Sequence, residues 1–406
     1  MLINDLSVMA TGRRSNLFGE DIRNHKAEIE DKVCGKSILV IGGAGSIGSA
    51  TIGALLSYRP HKLHVIDQNE NNLAELVRDL RSSSDKINNI DFRTLPIDYG
   101  SGVMHRFLLE QEPYNHVLNF AAIKHVRSEK DTYSILQMLD TNIIKLARLL
   151  CWLQEKGSTE SFFSVSTDKA ANPVNLMGAS KRLMEHVIFS DEVTPNSRVK
   201  MTSARFANVA FSDGSLLYSF IKRMDKRQPL ACPRGTKRFF ISLSEAGQLC
   251  LLAAMCAPED HLLIPRLDPE HDLHDLEEIA IAFLRYNGFK PRIYADGDRA
   301  RASVESDIAS GFYPLLLTEL DTSGEKPYEE FVGDNEKSVE IGMLKLSGII
   351  YQPYTKGIIT EFLSIIEKYI SNPQAKVSQE DVIANISDVV PEFKHIKSGM
   401  SLDDRM

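Results

Sequence analysis

The sequence predicts an α/β fold, a doubly wound parallel sheet with a smaller C-terminal lobe, and three observations carry it. Short apolar runs rich in β-branched residues alternate with longer stretches of helical period between residues 37 and 190. The runs lack polar–apolar alternation, as strands covered by helices on both faces do. The first run ends in a glycine-rich turn that opens a helix, and parallel strands need crossovers of this kind.

Taken in order, Ser37-Ile-Leu-Val-Ile41 reads as the first strand, Gly42-Gly-Ala-Gly-Ser-Ile-Gly48 as the turn, and Ser49–Ser57 as helix. The strand Leu63–Ile66 ends at Asp67, and a helix with Leu73, Leu76, Val77 and Leu80 on one face follows. A third strand, Phe92–Ile97, ends at Asp98, and a fourth, His116–Phe120, ends at Ala121-Ala122. Tyr133–Lys156 is a long helical region, after which the fifth strand, Phe162–Ser166, runs into Thr167-Asp168-Lys169. Beyond it the signals are a strand at Val199–Arg205 and helices near Leu217–Lys226, Ser244–Met255, Leu276–Asn287 and Gly357–Ile370. Residues 294–335 show no clear period. The expected organisation is an N-terminal extension over 1–36, helical from Glu20 to Lys32, and a dinucleotide-binding domain over 37–205. A substrate-binding lobe over 206–372, interleaved with the last strands, and a tail over 373–406 complete it.

The 406 residues carry 47 Lys and Arg against 55 Asp and Glu, a formal net charge of −8, with 43% hydrophobic residues. This is a globular composition, and with no basic run longer than a doublet it argues against a nucleic-acid surface or a polybasic membrane patch. No window approaches 18 uninterrupted apolar residues, and Met1–Arg14 lacks the order of a secretory signal, so a cytoplasmic protein is expected. The five cysteines (Cys34, Cys151, Cys232, Cys250, Cys256) never form a Cys-x-x-Cys pair, so neither a disulfide framework nor a metal site is expected. The apolar helical region Ile135–Leu153 suggests a helix-bundle interface and a homo-oligomer, dimer or higher.

Gly42, Gly45 and Gly48 fit a dinucleotide fingerprint between strand and helix, the Rossmann-type join. Gly42 allows the tight turn, Gly45 lets the backbone approach a pyrophosphate, and Gly48 lets the helix pack closely. Ser46, Ile47 and the helix N-terminus present unpaired N–H groups to the phosphates. Asp67, at the end of the next strand, is placed to bind a ribose diol and to repel a 2′-phosphate, and no arginine accompanies Gln68 and Asn69. NAD is therefore expected over NADP. Asp98 is placed to accept from an adenine amino group, with Ala121 and Ala122 beside the cofactor.

The segment Ser164-Val-Ser-Thr-Asp-Lys-Ala-Ala-Asn-Pro-Val-Asn-Leu-Met-Gly-Ala-Ser-Lys-Arg182, with the glycine turn, resembles the extended short-chain dehydrogenase/reductase family. It most closely resembles the branch of UDP-N-acetylglucosamine 4,6-dehydratases, nucleotide-sugar enzymes of polysaccharide biosynthesis. Ala121-Ala-Ile-Lys-His-Val126, Thr141-Asn142, Arg205-Phe-Ala-Asn-Val209, Lys237-Arg-Phe-Phe240, Gly324–Glu330 and Val389–Phe393 look like the same branch, and the likeness runs from about residue 13.

The resemblance implies oxidation at sugar C4 by NAD⁺, loss of water across C5 and C6, and return of hydride to C6. Such chemistry needs bases for the C4 hydroxyl and C5 protons and an acid for the departing C6 hydroxyl, and Thr167, Asp168 and Lys169 are implied to supply them. The superfamily's Tyr-x-x-x-Lys pair reads Met177-Gly-Ala-Ser-Lys181, so Lys181 keeps the ribose while the base role passes to Lys169, Asp168 or a water held by Thr167. The division of labour between Asp168 and Lys169 stays open. Lys124, His125, Asn208, Arg238 and Glu325 are implied to bind substrate. The branch's usual Arg-Pro-Gly-Glu-Lys reads Thr322-Ser-Gly-Glu-Lys326, which leaves Arg299 or Arg301 to replace the missing arginine, and Ala210–Ser215 is also divergent.

Two other functions share these features: a nucleotide-sugar 4-epimerase or simple oxidoreductase, and an inert NAD-binding sensor or scaffold. Elimination requires the Asp168–Lys169 pair, whereas epimerisation needs only a C4 base, normally the tyrosine absent here. Loss of that tyrosine and of the arginine favours the sensor. The surviving Thr167, Asp168, Lys169, Lys181, Asn208 and Arg238 oppose it.

Overall fold

A computed structural model of the chain describes residues 3–83, 87–124, 129, 131–319, 328–352 and 357–395. Its strands, in chain order, are β1 (Ser37–Ile41), β2 (Lys62–Ile66), β3 (Asp91–Leu95), β4 (His116–Asn119), β5 (Ser161–Val165), β6 (Lys200–Ala204), β7 (Asn208–Val209), β8 (Leu230–Pro233), β9 (Lys237–Ile241), β10 (His261–Pro265), β11 (Leu273–Asp275), β12 (Lys290–Tyr294), β13 (Phe312–Thr318), β14 (Ser338–Val339) and β15 (Leu346–Ile350).

Nine of them form the main sheet in the order β14-β15-β10-β6-β5-β4-β1-β2-β3. The ladders from β3 to β10 are parallel, with Val40 facing Val65 of β2 and Leu118 of β4, and β15 and β14 add antiparallel strands at one edge. The strand order reverses at β1, which sits between β2 and β4, and in open α/β sheets that crevice at the strands' C-terminal ends is where ligands bind. The doubly wound fold predicted from the alternation of runs is thus present. Ile38–Ile41 are fully buried because helices cover both faces.

The predicted strands end one or two residues early, at Leu95, Asn119 and Val165, which leaves Asp98, Phe120–Ala122 and Ser166–Lys169 in loops at that C-terminal edge. Ladder bonds continue briefly past these ends: Phe120 N–H donates to Ile41 O (2.7 Å) and Ser166 N–H to Ala204 O (2.8 Å). The helical region predicted over Tyr133–Lys156 spans Thr132–Lys156, interrupted by a π turn at Asp140–Ile144. Asn142 explains where the turn falls. Its side chain bonds Ile123 N–H (2.8 Å), Ile123 O (2.9 Å) and Ser180 Oγ (3.0 Å), so the helix widens to reach the loop after β4.

Two small sheets, β11-β9-β7 and β12-β13-β8, stand apart from the main one. Strand β13 lies within the stretch that shows no sequence period, and it also contains Pro314. β8 pairs only from Leu315 onward, so the proline stands where one side of the strand is open and its missing N–H interrupts no ladder there.

The C-terminal segment brings a helix over Ile358–Ser371 and another, not anticipated, over Gln379–Val389. The first packs on Thr132–Ile144 and the second on the helix Leu176–Phe189. Ile135, Leu139, Ile143 and Leu146 thereby join one core cluster with Ile359, Phe362 and Ile366. The apolar positions that suggested an oligomer interface are covered by the chain's own C-terminal helices.

Candidate active site

A cleft of about 970 Å³ opens at the C-terminal edge of the sheet, between the glycine turn and the loop after β5. Gly42 has φ +70°, and a Cβ there would lie 2.5 Å from Ala121 N, so only glycine lets the two turns meet. A Cβ at Gly48 would lie 2.6 Å from Gly42 O. At Gly45 a Cβ would meet nothing nearer than Gly42 O at 3.5 Å, so the protein's own packing does not require that glycine. Gly45 lines the cleft and is the N-cap of the helix Ser46–Leu55 with no side-chain cap, which leaves N–H groups for an anionic ligand. These residues fit a dinucleotide.

Asp67 lines the cleft and accepts from Ala44 N–H (3.1 Å) and Asn69 N–H (2.9 Å), which fixes its carboxylate at the edge of β2. Asp98 also lines it, but its carboxylate is engaged by Lys145 Nζ (2.6 Å) and Gly100 N–H (3.0 Å). Burial disfavours the Asp98 carboxylate, yet Lys145, Gly100 and Gln68 outweigh burial and hold its pKa below the usual range. Asp98 is thus first a partner of Lys145, a role that sequence spacing does not reveal. Ser46, Ile47, Ala121 and Ala122 line the same wall, and Ser46 Oγ accepts from Asp213 N–H (3.1 Å), tying the loop Ser212–Ser215 over the turn.

Across the cleft, Thr167 Oγ1 donates to Asp168 Oδ1 (2.8 Å), which also accepts Lys169 N–H (2.9 Å). Lys169 Nζ lies 3.4 Å from Asp168 Oδ1 and 3.2 Å from Glu329 Oε1. Burial disfavours the ammonium, yet Asp168 and Glu329 outweigh it, with Arg238 opposing, and Lys169 is held above the ordinary lysine range. The two carboxylates thus favour the charged form of Lys169. Glu329 carries no signal of its own in the sequence, though it falls within the Gly324–Glu330 stretch.

Asn175 Oδ1 caps the helix Leu176–Phe189 by accepting Gly178 N–H (2.8 Å), and a Cβ at Gly178 would lie 2.6 Å from Lys169 O. Capping and the missing side chain together seat the helix against the reactive loop. Met177 and Lys181, four apart, share one face and both line the cleft. Lys181 Nζ donates to Val165 O (2.7 Å) and lies 3.1 Å from Met184 Sδ. Burial lowers its pKa to about 7, Lys124 adding to the effect and Glu185 opposing it.

Lys124 and Asn208 line the cleft, and burial lowers the Lys124 pKa while Asp213 opposes the change. Arg238, on β9, is not among the lining residues, although its charge is felt at Lys169. Arg299 and Arg301 lie on the helix Gly297–Ala302, outside the lining, and Arg301 pairs with Asp298. His125 and Glu325 fall outside the described residues. Among the described residues no group of His, Cys, Asp and Glu is arranged to hold a metal ion.

The family model for polysaccharide biosynthesis proteins matches residues 38–346. The chain belongs to this family. An uncharacterized membrane protein of Methanocaldococcus jannaschii is 34% identical over 63% of this chain and 74% of its own. Among the described residues here, no helix is long and apolar enough to cross a membrane. The probable polysaccharide biosynthesis protein EpsC of Bacillus subtilis is 27% identical over 82% of this chain, which spans about half (52%) of that relative's length. A UDP-N-acetylglucosamine 4,6-dehydratase (inverting) of Campylobacter jejuni is 29% identical over 53% of this chain and 63% of its own. Among solved structures, Pen from Bacillus thuringiensis superposes with TM-score 0.63 at 21% identity, covering 82% of this chain and 98% of that one. WbmF of Bordetella bronchiseptica, in complex with NAD⁺, gives TM-score 0.51 at 17% identity, covering 63% and 80%. These structural likenesses are of fold.

Proposed function

We propose that the chain is an NAD-dependent nucleotide-sugar 4,6-dehydratase acting on a UDP-N-acetylhexosamine, UDP-N-acetylglucosamine in the first instance, in polysaccharide biosynthesis. One observation supports this reading above the others: a proton acceptor and a charged proton donor, Asp168 and Lys169, stand together in the cleft while the superfamily tyrosine is replaced by Met177. Epimerisation needs one base at C4 and no acid–base pair. Elimination of water needs both. The dehydratase name of the C. jejuni relative agrees with it.

NAD, when bound, supplies the hydride acceptor and donor for the sugar. Gly45, Ser46 and Ile47, which line the cleft, would hold its pyrophosphate by backbone N–H groups, with Asp67 toward one ribose and Lys181 toward the other. Asp168 takes the C5 proton, oriented by the Thr167 hydroxyl and the Lys169 N–H, and C5 regains a proton when hydride adds at C6. Lys169 gives its proton to the C6 oxygen as the C–O bond breaks. For the C4 hydroxyl proton the lining offers Thr167 and Lys181, the latter divided between its charge states near neutral pH. Asn208 and Lys124 hold the sugar and diphosphate end.

The test uses UDP-N-acetylglucosamine deuterated at C4, followed by mass spectrometry and NMR. The expected product is one water lighter, carries deuterium on a new methyl group, and forms without net consumption of added NAD⁺. Deuterium returned to C4 with no loss of mass makes the chain an epimerase, and stoichiometric NADH without a methyl product makes it a simple dehydrogenase. No conversion of UDP- or GDP-sugars leaves the sensor or scaffold.

A further inference from the structure

Behind the reactive loop, and outside the cleft lining, the segment from Glu329 to Glu336 is strapped to the loop at several points. Asn172, three residues after Lys169, donates to Glu330 Oε2 (3.0 Å) and Asp334 Oδ1 (3.2 Å) and accepts Asp334 N–H at 3.1 Å. A Cβ on Gly333 would lie 2.5 Å from Ala171 O, so the two backbones touch. Phe331 O accepts from Arg205 Nη1 (2.9 Å), and the Phe331 ring packs on Phe239 at 5.6 Å. At the head of this strap the Glu329 side chain is 5% exposed with its carboxylate 3.2 Å from Lys169 Nζ.

We propose that Glu329 is a positioning residue that keeps Lys169 protonated and aimed as the acid, acting through Lys169 and not on substrate. The role rests on the dehydratase reading for its purpose, although the Lys169–Glu329 pair itself does not. A buried carboxylate tied so firmly to the loop has a structural use already, but that use is met by Glu330, Asp334 and the backbone contacts. Glu329 is the strap residue that reaches the ammonium. The charged groups acting on Lys169 are Asp168 beside it in the loop, Glu329 from the strap and Arg238 from β9, the last opposing the other two. Without Glu329, Asp168 would be the one carboxylate set against burial and Arg238. When Lys169 gives its proton to the C6 oxygen, Asp168 holds the C5 proton, and the Glu329 carboxylate, 3.2 Å away, draws the next proton back to Lys169. Over a cycle the C4 hydroxyl proton passes to solvent, the C5 proton is taken by Asp168 and a proton is put back on C5 as hydride adds to C6, and the proton that Lys169 gives to the C6 oxygen is replaced from solvent, so one water is the net product.

The test measures the lysine directly. Trace acetylation by acetic anhydride across pH 6–11, with peptide mass mapping, gives the pH of half-reactivity of Lys169 in the wild-type chain, Glu329→Gln and Glu329→Asp, with Lys145 as an internal control. Glu329→Gln is expected to lower that midpoint by about 1–3 pH units, the range for loss of an adjacent opposite charge, while Glu329→Asp retains most of it. Lys145 should not move. An unchanged Lys169 midpoint in folded Glu329→Gln overturns the proposal whether or not the chain turns over a sugar. If the wild-type chain shows dehydration, the alkaline limb of its rate profile should move down in parallel. A lowered midpoint in a chain with no dehydratase activity would keep the pair and remove the reading of its purpose.

Discussion

Lysines 169 and 181 both line the cleft and are driven in opposite directions, one by two carboxylates and the other by burial. Two consequences are measurable. Asp168→Asn and Lys169→Ala should each lower turnover by about 10²–10⁴-fold, the range for one general acid or base, while Met177→Ala should retain measurable turnover because a thioether carries no proton. Equal loss in all three by steady-state kinetics would show that Met177 positions the sugar. For Lys181, the folded pKa of about 7 lies below the unfolded value of 10.5, so the folded state is penalised wherever the unfolded lysine is protonated. That penalty is full below pH 7, shrinks as pH rises, and vanishes above 10.5. Lys181→Met should therefore stabilise the chain at pH 7 by a few kcal/mol, because each pH unit between the folded and unfolded pKa is worth about 1.4 kcal/mol. The gain should fade by about pH 10 in urea titrations. The placing of Asp67 and the glycines at the cleft was legible from local spacing, whereas that of Glu329 beside Lys169 was not. Its partner lies far away in sequence, and only the folded strap joins them.

Among the elements, the strap that carries Glu329 is anchored by a buried ion network. Arg205, fully buried on the strand-end after β6, bonds Glu185 (2.6 Å) and Glu336 (2.5 Å), and Arg182 pairs with both and with Glu392 (2.9 Å). Ser166 Oγ donates to Glu185 (2.5 Å), so the network ends one residue before Thr167. Burial raises the Glu336 pKa, but Arg205, Arg182 and the Gly333 N–H outweigh it and hold it at about 2. A folded pKa below the usual 4.5 stabilises the fold above pH 4.5, and the stabilisation is lost as pH falls from 4.5 toward 2. The loss should be about 3 kcal/mol, and in Glu336→Gln the dependence over that window should flatten while stability at pH 7 falls by a similar amount. Denaturant midpoints at pH 6, 4 and 3 check it, and parallel curves for the two chains would count against the network. Strands β1, β2, β4 and β5 were readable because each is a short, largely apolar run followed by a helical stretch. β13 and the helix Gln379–Val389 were not, since a proline breaks one pattern and the β-branched Val382, Ile383, Ile386 and Val389 blur the other.

For the molecule as a whole, the last two helices decide which surface is left for partners. The apolar residues of Thr132–Ile144 are buried against Ile359, Phe362 and Ile366, and Val382, Ile386 and Val389 extend the same core over Leu176–Phe189. Polar contacts set the angle of approach: Glu192 caps the first of these helices at Gly357 N–H (2.6 Å) and Thr360 N–H (3.1 Å), and Lys394 N–H reaches Pro173 O (3.1 Å) beside the reactive loop. The exposed pair Arg148–Glu367, 41% and 52% accessible, lies at the rim and should matter little, because exposed ion pairs contribute at most about 1 kcal/mol. The core is different. Phe362→Ala should cost about 3–5 kcal/mol through the cavity it leaves, whereas Arg148→Ala should cost less than about 1 kcal/mol. A chain ending at Gln352 should expose Ile135, Leu139 and Ile143 as one apolar stripe, and a stripe of that kind drives association. Size-exclusion chromatography with light scattering should then show self-association at concentrations where the full chain gives a smaller species, and Phe362→Asp should move the full chain in the same direction. If the shortened chain keeps the full chain's oligomeric state, these helices do not guard that face, and the interface expected from Ile135–Leu153 must be sought elsewhere on the surface.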